Sequence, residues 1–110
     1  MSLLVIRAHK RFAVCRRVPL RKGRAIAGDG LLIELSLEGC RISQIQQDHF
    51  REGEELHFNV EGYGMITGAV RWSQGNCVGL RLSPPLHQAE MANLLDVLRE
   101  GPEKVAAAGG

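Results

Sequence analysis

Apolar and polar positions alternate with a period of two over most of this chain, and the period changes once, near the end. Period two is the mark of a half-buried strand, and period 3.6 the mark of an amphipathic helix. From Phe12 the segment Ala13-Val14-Cys15-Arg16-Arg17-Val18 reads as a strand ending at Pro19-Leu20, with a turn at Arg21-Lys22-Gly23. Ala25-Ile26-Ala27 leads into Gly28-Asp29-Gly30, a bulge or bend, and then into a second strand, Leu31 to Leu35. Ser36-Leu37-Glu38-Gly39 interrupts that strand, and Cys40-Arg41-Ile42-Ser43 resumes it. Gln44 to Gly53 is a polar loop with Ile45 and Phe50 as its apolar anchors.

The next three strands are read from their alternation. Leu56, Phe58 and Val60 share one face. After the turn Gly62-Tyr63-Gly64, so do Ile66, Gly68, Val70 and Trp72. After Gln74-Gly75-Asn76, so do Val78, Leu80 and Leu82. Pro84-Pro85 ends the strand region, because proline cannot donate to a ladder. Met91, Leu94, Leu95 and Leu98 then follow i, i+3, i+4, i+7, one apolar helix face opposite Gln88, Glu90, Asn93, Asp96 and Arg99. Gly101-Pro102 stops this helix.

These elements predict an all-β fold with a terminal helix: a small antiparallel six-stranded β-barrel with a C-terminal amphipathic α-helix over one open end. The expected organisation is a flexible arm over 1–11, one barrel-plus-helix domain over 12–100, and a disordered tail over 101–110. A length of 110 residues suits one such domain. With 45% hydrophobic and 24% charged residues, the composition is that of an ordinary globular protein. No apolar stretch approaches the roughly 20 residues that span a bilayer. Leu3-Leu4-Val5-Ile6 is too short for a signal-peptide core and has no basic segment before it, so the expected location is cytoplasmic, without membrane insertion. Cys15, Cys40 and Cys77 are odd in number and lack C-x-x-C spacing. They are expected to be small, mostly buried hydrophobes rather than disulfide partners or zinc ligands.

Charge changes the picture. The net charge is only +2, yet eight of the fourteen basic residues lie in the first 24 positions, before the first acidic residue, Asp29. Such a field favours an anionic partner. Catalysis has little support. His9, His49, His57 and His87 are scattered, no H-x-x-x-H spacing exists, and Ser36 lacks the context of a nucleophile elbow. No catalytic residue, metal ligand or cofactor is expected. Binding has more support. Arg7-Ala8-His9-Lys10-Arg11 offers two planar forks of donors that match phosphate oxygens or the O6 and N7 edge of guanine. In Glu34-x-Ser36-x-x-Gly39 a carboxylate and a hydroxyl sit at a strand end, and Gly39 permits a backbone path other residues resist. Arg16 and Arg17 are expected to help with phosphates.

With these residues in place, the chain resembles the PilZ domain family, the bacterial module that binds cyclic di-GMP. Arg7 to Arg11 followed by Phe12-Ala13-Val14 matches the family's R-x-x-x-R motif, and Glu34 to Ile42 matches its [D/N]-x-S-x-x-G motif apart from the first residue. Ala69-Val70-Arg71-Trp72 and Val78-Gly79-Leu80-Arg81-Leu82 resemble its late strands. The resemblance implies that Arg7 and Arg11 grip phosphates and guanine edges, that Ser36 and Gly39 line the second side, and that position 34 contacts a guanine. Glu34 keeps the charge of the family's Asp but reaches about 1.5 Å further, one methylene. The function expected is a cyclic di-GMP receptor that relays the signal to a protein partner as a monomer or weak dimer. The alternative, motivated by Glu34, is a degenerate PilZ-like adaptor that binds no nucleotide and acts through protein contacts. Nucleic acid is not an expected partner, because Phe12, Phe50, Phe58, Tyr63 and Trp72 fall mostly at core or turn positions and leave few stacking platforms.

Overall fold

The computed structural model describes residues 10–45 and 50–99. The arm expected over 1–11 and the tail expected over 101–110 therefore fall almost wholly outside the described residues, as do Arg7, His9 and His49. Six strands form a closed antiparallel barrel: β1 (Phe12–Lys22), β2 (Ala25–Leu35), β3 (Gly39–Ser43), β4 (Glu55–Val60), β5 (Gly64–Gln74) and β6 (Cys77–Leu82). They are ordered β1-β2-β3-β6-β5-β4, with β1 closing on β4. One helix follows, α1 (Gln88–Arg99).

The inward alternation is the one the sequence predicts. Leu32, Leu35, Ile42, Leu56, Phe58, Val60, Ile66, Val70, Val78, Leu80 and Leu82 are all buried, and Ile45 and Phe50 anchor the long loop between β3 and β4. The helix buries the expected four side chains, Met91, Leu94, Leu95 and Leu98. It lies over the barrel end where β1 begins and the β4–β5 turn sits, close enough that a Cβ on Gly62 would stand 3.2 Å from Val97. Its first turn is closed by Glu90, whose carboxylate accepts from the His87 N–H at 2.9 Å, one half of a capping box.

Four details differ from the sequence reading. First, β1 does not end at Pro19-Leu20 but runs to Lys22, and the turn follows at Gly23 with φ +60°. Pro19 is tolerated because a register shift lies beside it, between Pro19 and Arg21, where β2 carries extra length at Gly28, φ +89°. Second, Arg16 points inward. It shares the parity of Val14, Val18 and Leu20, is 4% exposed, and donates from Nη2 to the Val97 carbonyl at 3.2 Å in the last turn of α1. A cation there also meets the negative end of the helix dipole. Third, Trp72 does not continue the buried face of Val70. A register shift between them turns the indole outward, where it is 40% exposed. Fourth, Cys15 is exposed, whereas Cys40 is buried and Cys77 is half-buried.

The thiols give a direct check of these burial assignments. Burial pushes the Cys40 thiol far above its ordinary range and raises that of Cys77 as well. The thiolate is the species that attacks a disulfide reagent, so exposure and thiolate fraction act together. In native protein at mildly alkaline pH, Cys15 should react with Ellman's reagent first, Cys77 more slowly, and Cys40 only at the rate of unfolding. Rapid labelling of Cys40, read by mass spectrometry of the peptides, would contradict this packing.

Candidate functional site

The site is built from a row of cross-strand neighbours. Ala13 pairs with Glu34, Glu34 with Arg41, Arg41 with Gly79, and Gly79 with Trp72. Paired residues on one face of a sheet stand about 4.5–5.5 Å apart, so these strands deliver their side chains to one strip of the outer wall. Gly79 has no side chain, and the Trp72 indole takes the space that a Cβ there would need. The Arg41 guanidinium then sits 5.7 Å from the centre of the Trp72 ring. Such an exposed cation–π contact is worth roughly 0.5–1 kcal/mol.

Glu34 is the centre of the charge arrangement. One carboxylate oxygen lies 3.6 Å from Arg11 and the other 3.5 Å from Arg41. Both arginines are nearly half exposed. Ion pairs of this kind are worth only about 0.2–1 kcal/mol each. They hold the two forks near the wall only weakly.

Next to this row, the β2–β3 turn is fixed in three ways. The Ser36 N–H donates to the Gly39 carbonyl at 2.8 Å, and the Gly39 N–H donates to Ser36 Oγ at 3.1 Å. The Leu82 N–H donates to the Glu38 carbonyl at 2.8 Å, tying the turn to the end of β6. Gly39 is required by close approach: a Cβ there would stand 2.8 Å from the Leu80 carbonyl oxygen. The row and the turn together enclose an open pocket of about 240 Å³. Arg11, Glu34, Ser36 and Gly39 line it, joined by Arg41, Arg71 and Trp72.

Of the residues expected from sequence, the structure thus brings Arg11, Glu34, Ser36 and Gly39 together. Arg7 lies outside the described residues. Arg16 is turned into the barrel toward α1, and Arg17 is exposed with Nη2 donating to Gln44 Oε1 at 3.4 Å; neither lines the pocket. Arg41, Arg71 and Trp72 were missed as site residues. The signal for Arg41 was present, since a hairpin about the Ser36–Gly39 turn sets it near Glu34. Trp72 was hidden by strict alternation, which assigns it to the core face.

The arrangement offers arginine forks, a flat aromatic surface and carboxylate acceptors around an open pocket. It suits a planar, anionic, hydrogen-bonding ligand. Among the described residues no group of three or more His, Cys, Asp or Glu side chains is placed to hold a metal ion. No described helix is long and apolar enough to cross a membrane.

A small closed antiparallel barrel with a helix over one end and an arginine-lined pocket on its outer wall defines a class of ligand-binding module. The family model of the PilZ domain matches residues 6–100, and the chain belongs to that family. PilZ domains are cyclic di-GMP-binding modules and adaptors, not catalysts. No curated protein is similar enough to the chain to count as a match.

The turn geometry makes a test of its own. Gly39→Ala forces the Leu80 carbonyl to shift, an overpacking change that should cost about 1–3 kcal/mol. Urea denaturation should show the loss as a lower midpoint with an unchanged slope. A variant as stable as wild type would show that β3 and β6 are not held this closely.

Proposed function

We propose that this chain is a cytoplasmic cyclic di-GMP receptor that acts without catalysis and passes the signal to a protein partner. The observation that carries this reading is the cross-strand row. It sets Glu34, Arg41 and Trp72 side by side, and Arg11 and the Ser36–Gly39 turn complete the pocket around them. Arg11 and Arg41 exchange Glu34 for ligand phosphate or guanine acceptors, because charge-assisted hydrogen bonds to phosphate are stronger than these exposed ion pairs. Trp72 offers a face for a guanine ring. Glu34, released, accepts from guanine N–H groups. Arg7 acts with Arg11 as the second fork of the same motif.

Calorimetric titration with cyclic di-GMP tests the reading. Wild type should give saturable heat. Arg11→Ala removes charge-assisted bonds of about 1.5–3 kcal/mol each, so affinity should fall about tenfold or more. No heat from folded wild type would sink the receptor reading.

Trp72→Ala separates stacking from charge. Base stacking on an aromatic side chain is worth roughly 1–3 kcal/mol, so this variant should bind about tenfold more weakly. The second reading, an adaptor that binds no nucleotide, is favoured by one observation: Glu34 already occupies both Arg11 and Arg41. Glu34→Asp shortens the side chain by one methylene. Binding that appears only in Glu34→Asp would establish the adaptor reading.

A further inference from the structure

A second groove, of about 390 Å³, runs between the start of β1 and α1. Lys10, Phe12, Leu37, Met91 and Ala92 line it, with Leu95 at its floor. Two of its walls adjoin those of the outer-wall pocket. Phe12 follows Arg11, and Leu37 stands between Ser36 and Glu38. The Lys10 ammonium lies 5.6 Å from the centre of the Phe12 ring.

The side chains alternate where the chain enters. Lys10 and Phe12 line the groove, and Arg11 between them lines the pocket. Successive side chains of an extended chain point to opposite sides. In sequence, Ala8, Ile6 and Leu4 share the parity of Lys10 and Phe12, and His9 and Arg7 that of Arg11. Leu3-Leu4-Val5-Ile6 is also the longest uninterrupted run of large aliphatic residues in the chain. At no more than about 3.6 Å per residue, Ile6 stays within about 14 Å of Lys10.

We propose that this groove is the seat of the chain's own Leu4 and Ile6, and that seating them turns Arg7 toward the nucleotide pocket. Leu4 and Ile6 are then positioning residues, touching no ligand. The groove and the pocket are coupled reciprocally, as any two linked binding events must be. The effect on affinity rests on the receptor reading; the seat itself does not.

The test uses the full chain with methyl-labelled Met, Leu, Ile and Val. Nuclear Overhauser effects between the Met91 methyl and the Leu4 or Ile6 methyls are expected without nucleotide. The double variant Leu4→Asp/Ile6→Asp should abolish them and shift the Ala92 resonance, while signals of the barrel core stay in place. Ala92→Glu, which fills the groove from the helix side, should also abolish them. Both variants should bind cyclic di-GMP about tenfold more weakly than wild type, a size typical of coupled sites. A wild-type spectrum without these Overhauser effects overturns the seat. So do Met91 shifts that depend on protein concentration, which would assign the groove to a second copy. Variants that unseat Leu4 and Ile6 yet bind cyclic di-GMP as tightly as wild type overturn the coupling. Overhauser effects present in a protein that binds no nucleotide uphold the seat and count against the receptor reading alone.

Discussion

Two bulges decide which side chains reach the outer wall. In β2 the register shifts between Leu32 and Glu34, and in β5 between Val70 and Trp72. In an unbroken strand, residues two apart face the same side. Leu32 and Val70 are in the core, so an unbroken ladder would carry Glu34 and Trp72 inward with them. Burying a carboxylate without a full set of partners costs several kcal/mol, and a buried Trp72 would leave no indole face on this wall. The extra residue in each strand reverses the phase. Everything proposed about the pocket depends on those two reversals.

Once Glu34 and Trp72 are outside, the rest follows from pairing. Arg41 is the neighbour of Glu34 on one side and of Gly79 on the other, and Gly79 leaves room for the indole. The Ser36–Gly39 turn sets the height of this row by holding β3 against β6, where the Leu80 carbonyl admits no Cβ at position 39. The site is therefore preorganised by backbone hydrogen bonds and held loosely by ion pairs. On the proposed reading, a stiff frame with weakly tethered arginines lets an incoming phosphate take the forks without disturbing the barrel. Arg16, bonded to the Val97 carbonyl, ties α1 to β1.

Much of the fold was legible because burial enforces period. The alternation of Leu56, Phe58 and Val60, and the 3.6 spacing of Met91, Leu94, Leu95 and Leu98, are read directly from the chain and recur in the structure. Arg11, Glu34, Ser36 and Gly39 were legible as a group from their residue types, and they line one pocket. Trp72 was misread because a bulge breaks the parity that sequence reading assumes. Cys15 was misread for another reason: strand-like neighbours do not say which face a residue takes, and it lies with Ala13 and Arg17 on the exposed face of β1. Arg16 was expected to help with phosphates, and its hydrogen bond to a carbonyl at the end of a helix 81 positions away is a tertiary fact that no local pattern announces.

Cyclic di-GMP, if the outer-wall row beside the Ser36–Gly39 turn is its seat, must come against Trp72. That residue is the only tryptophan of the chain, so its fluorescence reports on that row alone. Titrating the folded protein with cyclic di-GMP should quench or shift the indole emission in a saturable way, with an equal response absent for guanosine. Emission that stays unchanged while an independent probe shows nucleotide bound would place the ligand elsewhere and contradict this assignment.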